Sequence, residues 1–328
     1  MGVRRTHRAL RAATAAVAIA ALAGTLLVAP SSASVRSDVT PSPVPTPVQV
    51  TPTPPPLLPA IYVRVVLSPA NGATVGVATP IVAKFSLPVA RKARAERNMK
   101  VYVGAALAVG AWHWKDSSTA VFRLKDFWPG HSRVYVRMTL AGVELATSKG
   151  YRYVAKGTGT RVHVLRIARS MVSYVDAKTL RMRVLVDGRL VRVFKISLGK
   201  AGYETRSGIK AVMEKYLTRR MTSQLAGITD PNDQYDLVAP FAVRLTPTGE
   251  FAHGAPWAAG RIGVRNGSHG CTNLFTADAT WFYSRVLPGD PVITTGTARV
   301  MEPWNGPGAA YNMAWKTWLT KSATKGVW

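Results

Sequence analysis

Apolar and polar positions alternate over short stretches between residues 61 and 299, a pattern that predicts β-strands. In the first part of this region, strands are predicted at Ile81 to Phe85 and at Val134 to Met138, and Ser68-Pro69-Ala70-Asn71-Gly72 is typical of a turn. Short strands separated by regular turns indicate a β-sandwich. Three tryptophans of this segment are expected to pack in its core: Trp112, Trp114 and Trp128.

The second part of the region also begins with strands. Alternation predicts five of them, within Met171 to Asp176, Leu180 to Val186, Leu190 to Leu198, Gly208 to Tyr216 and Pro291 to Thr295. Asp187-Gly188 is a tight hairpin turn. The polar stretch from Leu217 to Gln234 is predicted to be a mobile loop. The fold class is therefore mainly β, and the length after residue 60 favours two folded segments.

The first residues indicate export. Four arginines precede an uncharged, alanine-rich run from Ala12 to Ala29, and Ser31-Ser32-Ala33 offers small residues for cleavage. That run has 18 residues, near the lower limit for crossing a bilayer, so residues 1–33 are either a cleaved signal peptide or a retained anchor. Residues 34–60 are rich in proline and threonine and are expected to form an extended linker. We therefore expect a protein of the extracytoplasmic wall space, secreted or anchored.

The chemistry of the chain is expected at its only cysteine, Cys271, which cannot form a disulfide within its own chain. A lone thiol is a buried filler, half of an intermolecular bridge or a reactive group. The segment Ser268-His269-Gly270-Cys271-Thr272-Asn273 follows His253-Gly254 along the chain, and this histidine can take the proton that a thiol must lose to become nucleophilic. Gly270 allows main-chain N–H groups to converge on an oxyanion. These neighbours favour a reactive cysteine.

The two segments resemble the signature of the L,D-transpeptidases, the cysteine acyltransferases of bacterial peptidoglycan. Trp257, Tyr235 and a predicted helix from Ala277 to Val286 are also similar to the family. The resemblance implies an immunoglobulin-like module over residues 61–157 and a catalytic domain over residues 158–299.

In the tail, residues 300–328, the stretch from Asn312 to Trp318 resembles a C-terminal segment that packs back between the two modules. Trp315 and Trp318 are expected to be packing residues, because their spacing places them on one helix face. Thr205-Arg206-Ser207-Gly208 departs from the family pattern, in which a proline is common here.

The resemblance also implies the roles of the site residues. Cys271 is the nucleophile, and His253 is the general base whose tautomer is fixed by the carbonyl of Gly254. Main-chain N–H groups of His269, Gly270 and Cys271, helped by the Tyr235 hydroxyl, are the oxyanion donors. The remaining residues form walls and hydrogen-bonding partners of the pocket: Ser268, Asn273 and Trp257. The loop at residues 217–234 is expected to cover the substrate as a flap.

The implied reaction begins with a peptidoglycan tetrapeptide as acyl donor. It releases D-Ala, leaves a thioester and ends in a 3→3 cross-link, with no cofactor and no metal. Carbapenems are expected to acylate the same cysteine as mimics of the donor.

Three other functions compete with this interpretation. A wall peptidase would use the same pair with water as acceptor, although such families place the cysteine before the histidine. A zinc site could be drawn from His253, His269 and Cys271, but no carboxylate or further histidine stands at ligand spacing. A non-catalytic wall-binding protein would keep the motif without using it.

The charge of the chain bears on its partners. The formal net charge is +27, so the protein attracts polyanions without specificity. No groove-reading motif or basic helix accompanies this charge, so nucleic acid is not expected as a partner. Peptidoglycan stem peptides and anionic wall polymers are the expected partners.

Overall fold

The computed structural model describes residues 56–326, so the predicted export signal and nearly all of the predicted linker lie outside the described residues. The first strand, β1, already begins at Ala60, the last residue of the predicted linker. Within residues 56–326, none of the helices has the length and apolar character needed to cross a bilayer.

Twelve strands and one short helix, α1 (Lys92–Arg97), form the first module. The strands are β1 (Ala60–Val63), β2 (Val65–Ser68), β3 (Thr74–Val75), β4 (Ile81–Phe85), β5 (Met99–Val103), β6 (Ala106–Leu107), β7 (Gly110–Trp114), β8 (Thr119–Leu124), β9 (Arg133–Met138), β10 (Glu144–Ser148), β11 (Tyr151–Ala155) and β12 (Arg161–Ile167). They form sheets in the orders β1-β11-β10, β3-β12-β9-β5-β6 and β2-β4-β8-β7. The mainly β prediction is confirmed for this module.

The core of the first module contains the three predicted tryptophans, each with at most 2% of its surface exposed. Each indole N–H has a partner, since Trp112 donates to the Met99 carbonyl (2.9 Å) and Trp114 to a Glu96 carboxylate oxygen (2.8 Å). Trp128 donates to the carbonyl of Thr79 (2.6 Å). The tryptophans can therefore be buried without leaving an unpaired donor.

The boundary between the modules lies later than the predicted position after residue 157. Strand β12 pairs antiparallel with β9 along residues 161–166 and parallel with β3, so it completes a sheet of the first module. Alternation along the chain predicts a strand but not the sheet that it joins.

Nine strands and the helix α2 (Thr276–Arg285) form the second module. The strands are β13 (Met171–Asp176), β14 (Arg181–Val186), β15 (Arg189–Lys195), β16 (Gly208–Ala211), β17 (Glu214–Thr222), β18 (Asp236–Arg244), β19 (Phe251–Gly254), β20 (Thr272–Leu274) and β21 (Pro291–Thr295). One sheet has the order β15-β14-β13-β21-β16 and the other has the order β17-β18-β19-β20. Between the sheets and α2 lies a core that includes Phe194, Leu274 and Phe282.

The predicted mobile loop at residues 217–234 is in part a strand, and this prediction was wrong for its first residues. Strands β17 and β18 pair antiparallel from Glu214↔Arg244 to Thr222↔Asp236 and form a long hairpin. Only residues 223–235 connect them, and this connection contains a short 3-10 turn at Pro231–Asp233.

The tail contacts both modules. Its helix α3 (Trp315–Thr320) places Trp318, which is fully buried, against β7, where its indole donates to the Ala111 carbonyl (3.0 Å). Asn312 exchanges two hydrogen bonds with the main chain of Ile209 in β16 (2.7 and 2.8 Å). Packing of Trp318 agrees with the expectation from the sequence.

Candidate active site

Two short strands position the predicted nucleophile and base. Strands β19 and β20 pair parallel, with His253 opposite Asn273 and Ala252 opposite Thr272. Cys271 immediately precedes β20, and His253 is in the middle of β19. Because side chains two residues apart share a face of a strand, His253 and Cys271 are diagonal neighbours on one face of this pair. A local sheet therefore brings the two residues together.

The imidazole of His253 is held in one tautomer. Its Nδ1 lies 2.8 Å from the Gly254 carbonyl, the contact that the family resemblance implies. Because a carbonyl can only accept, Nδ1 carries the hydrogen and Nε2 keeps the lone pair. Burial lowers the pKa of His253 to about 4, with the Gly254 hydrogen bond opposing the shift. The resting imidazole is therefore neutral and able to accept a proton at Nε2.

The thiol of Cys271 is also neutral at rest. The residue keeps some solvent exposure, but the surroundings of the sulfur are dense, and desolvation raises the pKa of the thiol to about 12. Its Sγ is 3.8 Å from the Gly249 carbonyl, and among the described residues no hydrogen bond joins it to His253. The resting sulfur is therefore a thiol and not a thiolate at neutral pH.

The turn before Cys271 corrects one predicted oxyanion donor. The N–H of Gly270 donates to Ser268 Oγ (3.1 Å), so it is already engaged. The Ser268 hydroxyl donates in turn to the Cys271 carbonyl (2.6 Å). The N–H groups of His269 and Cys271 have no acceptor among residues 56–326 and remain available to an oxyanion. Gly270 has a φ of +116°, which only glycine adopts without strain.

An aromatic stack lies beside the thiol. The ring of Tyr235 stacks on His269 at 4.8 Å, and Tyr203 meets the same imidazole edge-on at 4.7 Å. Desolvation and the nearby Cys271 sulfur raise the pKa of Tyr235 to about 12. Its hydroxyl therefore stays protonated at neutral pH and can donate a hydrogen bond to an oxyanion.

The connection between β17 and β18, residues 223–235, is tied to this stack through Asp233. Its carboxylate lies 3.3 Å from His269 Nε2 and forms an ion pair with Lys200. Both contacts hold the end of the connection close to the turn that precedes the thiol. Lys200, Tyr203 and Asp233 were not predicted from the sequence, because their contacts join positions far apart in the chain.

Trp257 and Asn273, two other predicted wall residues, also lie at the site. Trp257 is 47% exposed and stacks on His253 with ring centres 5.8 Å apart. Asn273 is buried, and its Oδ1 has no hydrogen-bond partner among the described residues. A buried acceptor without a partner is costly, so this oxygen is available to an N–H of a bound molecule.

Two cavities meet at the sulfur. The smaller, of about 190 Å³, is bounded by His253, Trp257 and Asn273, and the larger, of about 620 Å³, by arginine side chains and Glu250. Four residues line both: Met221, Tyr235, His269 and Cys271. A bound peptide can therefore extend on both sides of the reacting carbon. A third cavity, of about 450 Å³, includes Val82 and Trp304 but neither Cys271 nor His253.

A buried cluster of charges lies behind the thiol. Lys210 is fully buried, with its Nζ 2.7 Å from Glu250 Oε2, and Arg206 donates to Glu250 Oε1 from its main-chain N and its guanidinium (2.9 Å each). Burial lowers the pKa of Lys210. The charge of Glu250 raises the pKa of the Cys271 thiol and that of Lys210 lowers it, both less than desolvation does. This cluster was not predicted from the sequence. One indication of it was present, because Arg206 lies in the segment that departs from the family pattern.

The two histidines of the alternative zinc site have hydrogen-bond partners elsewhere. His253 Nδ1 faces a carbonyl and His269 Nε2 faces Asp233. The part of the chain that the structure describes contains no group of three His, Cys, Asp or Glu side chains arranged to hold a metal.

A thiol beside a tautomer-fixed imidazole, with free main-chain donors and a peptide-sized cleft, defines a cysteine acyltransferase. Comparison with known proteins agrees, since residues 170–294 match the L,D-transpeptidase catalytic domain and residues 56–144 match a bacterial Ig domain. The chain is 34% identical over 243 residues to L,D-transpeptidase 1 of Mycobacterium tuberculosis, covering 74% of this chain and 88% of that protein. This chain belongs to the L,D-transpeptidase family.

Further relatives support the assignment. Probable L,D-transpeptidase 3 of Mycobacterium tuberculosis is 34% identical over 69% of this chain and 83% of its own. A structure of the L,D-transpeptidase LdtMt1 in complex with imipenem aligns with a TM-score of 0.59 and 29% identity, over 73% of this chain and 100% of that one. L,D-transpeptidase 3 from Mycobacterium tuberculosis with a faropenem-derived adduct aligns with a TM-score of 0.57 and 30% identity, over 71% and 98%.

Proposed function

We propose that this enzyme is exported and forms 3→3 cross-links between peptidoglycan stem peptides. The donor is a tetrapeptide stem whose third residue is a diamino acid, and the acceptor is the side-chain amine of a neighbouring stem. The observation that carries the proposal is the fixed Nδ1 contact of His253, which leaves Nε2 as a base beside the only thiol of the chain.

In the first half-reaction, Sγ of Cys271 attacks the carbonyl carbon of the third residue while its proton passes to His253 Nε2. The carbonyl oxygen becomes an oxyanion, stabilised by the free N–H groups of His269 and Cys271 and by the Tyr235 hydroxyl. Collapse of this intermediate breaks the amide bond, and the imidazolium gives its proton to the departing amine of D-Ala. A thioester on Cys271 remains.

In the second half-reaction, the acceptor amine attacks the thioester and gives a proton to His253. Sulfur leaves as the thiolate and recovers that proton, which regenerates the neutral pair. Asn273 Oδ1, buried and without a partner, suits an N–H of the donor backbone on the side of the smaller cavity. The larger cavity leaves room for the rest of the stems.

The test is incubation of the full chain with purified disaccharide tetrapeptides, followed by mass spectrometry. We expect a cross-linked dimer and one released D-Ala per link. Cys271→Ala is expected to abolish both, and His253→Gln to slow them by about 10² to 10⁴. Free tripeptide without dimer would instead indicate hydrolysis, and product from the Cys271→Ala variant would reject the assigned nucleophile.

Inhibitor binding provides a second test. The structural relatives in complex with imipenem and with a faropenem-derived adduct suggest that such compounds acylate Cys271 here as well. Intact-mass analysis is expected to give one adduct on the full chain and none on Cys271→Ala. An adduct on the alanine variant would contradict the proposal.

A further inference from the structure

The outer face of one sheet in the first module carries only positive charge on its strands. This sheet has the order β3-β12-β9-β5-β6, and these five strands contain no aspartate or glutamate. Because successive side chains of a strand point to opposite faces, the buried positions of β5, β9 and β12 face the core and the positions between them face outward. Four exposed cations occupy outward positions: Lys100, Arg133, Arg137 and Arg166.

The register of this sheet places like charges directly opposite one another. Arg137 of β9 lies opposite Lys100 of β5, and Arg133 of β9 lies opposite Arg166 of β12. Like charges in these positions destabilise a sheet. Arg133 and Arg137 form no ion pair with any of residues 56–326 that would offset this cost. The arrangement therefore opposes folding and suits a ligand of the opposite charge.

A row of tyrosines and aliphatic residues separates the two pairs of cations. Tyr135 lies opposite Val164 on one side and Tyr102 on the other, and Tyr102 lies opposite Leu107. These four residues, the tyrosine row, extend about 14 Å across four strands. A pair of cations flanks the row on each side, two positions or about 7 Å along the strands. Both tyrosines are half-buried and the cations are exposed, so the row lies lower than the charges beside it.

We propose that this face binds a wall polysaccharide whose sugar rings carry carboxylates, with the polymer lying along the tyrosine row. The apolar face of a sugar ring can pack on the tyrosine rings, and carboxylates on its two sides then meet the cations. A small anion would need only one of the two cation pairs. A flat lipid surface would meet the exposed cations but not the half-buried tyrosines between them. The inference goes beyond the cross-linking reaction and takes from the proposed function only the place where the polymer is met.

The test measures binding of the full chain to polygalacturonate, in which each sugar ring carries one carboxylate, by isothermal titration calorimetry. Neutral dextran provides rings without charge, and polyphosphate provides charge without rings. We expect polygalacturonate to bind most tightly, polyphosphate less tightly and dextran least, and the affinity for polygalacturonate to fall as salt is added. An affinity for dextran or for polyphosphate that equals the affinity for polygalacturonate overturns the proposal.

A charge variant locates the binding on the sheet. Arg133→Gln/Arg137→Gln is expected to weaken binding of polygalacturonate about tenfold. The matched control is Arg64→Gln/Lys84→Gln, which removes two exposed charges from the same module outside this sheet. It is expected to change the affinity by less than about twofold. An equal loss in both variants would assign binding to the net charge of the chain and overturn the site.

A second variant tests the tyrosine rings. Tyr135→Ser is expected to weaken binding of polygalacturonate about fivefold and to leave binding of polyphosphate unchanged. Tyr62→Ser is the control, because Tyr62 is an exposed tyrosine of the same module in a different sheet, and it is expected to bind as the wild type does. Wild-type affinity for polygalacturonate in Tyr135→Ser overturns the proposal.

Vesicles of phosphatidylglycerol and phosphatidylcholine test a membrane surface as the partner. We expect Arg133→Gln/Arg137→Gln and its control to bind them equally, and a loss confined to vesicles in the first variant would overturn the polysaccharide site. Failure of the proposed function has a different signature, because these binding measurements do not involve Cys271. The Arg133→Gln/Arg137→Gln variant is expected to keep the wild-type rate of Cys271 acylation by imipenem, which shows that the catalytic module is intact.

Discussion

The charge cluster behind the thiol allows a quantitative prediction for Lys210→Met. This change keeps the length of the side chain and removes a cation that is fully buried, 2.7 Å from Glu250 and 3.3 Å from Thr294 Oγ1. Glu250 then keeps only Arg206 as a charged partner. Removing one partner of a buried ion pair typically costs about 3–5 kcal/mol. We expect the lower end, about 3 kcal/mol of unfolding free energy, because Arg206 still neutralises part of the charge.

A second variant separates the charge from the packing. In Lys210→Met/Glu250→Gln the glutamine carbonyl can still accept both hydrogen bonds from Arg206, and no buried anion is left without its cation. The double variant is therefore expected to lose only about 1 kcal/mol. This is about 2 kcal/mol less than Lys210→Met alone is expected to lose.

Urea denaturation of the full chain at neutral pH, followed by circular dichroism, measures these values. Lys178→Met is the control, since Lys178 is exposed and forms no ion pair with a described residue, and it is expected to change stability by less than about 0.5 kcal/mol. The reasoning is refuted if Lys210→Met lies within about 1 kcal/mol of wild type. It is equally refuted if the double variant is less stable than the single one.

Three further predictions concern pH, reactivity and packing. The pKa of His253 is 6.5 in the unfolded chain and about 4 in the folded chain. As the pH falls, the unfolded chain is therefore protonated at His253 before the folded chain is. The contribution of His253 to the unfolding free energy should be complete above pH 6.5 and should fall by about 3 kcal/mol towards pH 4. Urea denaturation of His253→Gln at several pH values should lack this decrease. Glu250→Gln should lower the pKa of the Cys271 thiol, and Lys210→Met should raise it. The rate of alkylation by iodoacetamide, measured across pH, gives this pKa in each variant. Shifts of the pKa in the same direction in both variants would contradict the prediction. Trp318→Ala should cost about 3–5 kcal/mol in urea denaturation, and an unchanged midpoint would mean that the tail adds nothing.

Local features of the fold were predictable from the sequence. Asp187-Gly188 forms the turn between β14 and β15 with φ values of +48° and +79°, as its residue types predict. His253 and Cys271 were identifiable because each lies in a short motif formed by consecutive residues of the chain. The strand at Met171–Asp176 and the one at Pro291–Thr295 have the predicted bounds.

The missed features depend on contacts between distant residues. The β17–β18 hairpin carries exposed apolar residues such as Leu217 and Val238 and has no buried face along much of its length, so alternation did not identify it. Lys210 and Glu250 are forty positions apart, and each alone is typical of a solvated surface. Only the packing of two sheets, one containing β16 and the other containing β19, makes them partners.

The arrangement explains how a thiol with a raised pKa can still react selectively. Burial keeps both Cys271 and His253 neutral, so the sulfur is a weak nucleophile towards small electrophiles in solution. In the proposed mechanism a bound donor changes this, because its carbonyl oxygen meets the free N–H groups of His269 and Cys271 as the proton moves to Nε2. The ion pair of Asp233 with Lys200 holds the hairpin connection close to the same turn. In that mechanism, reactivity depends on occupation of the cleft rather than on a thiolate formed in advance.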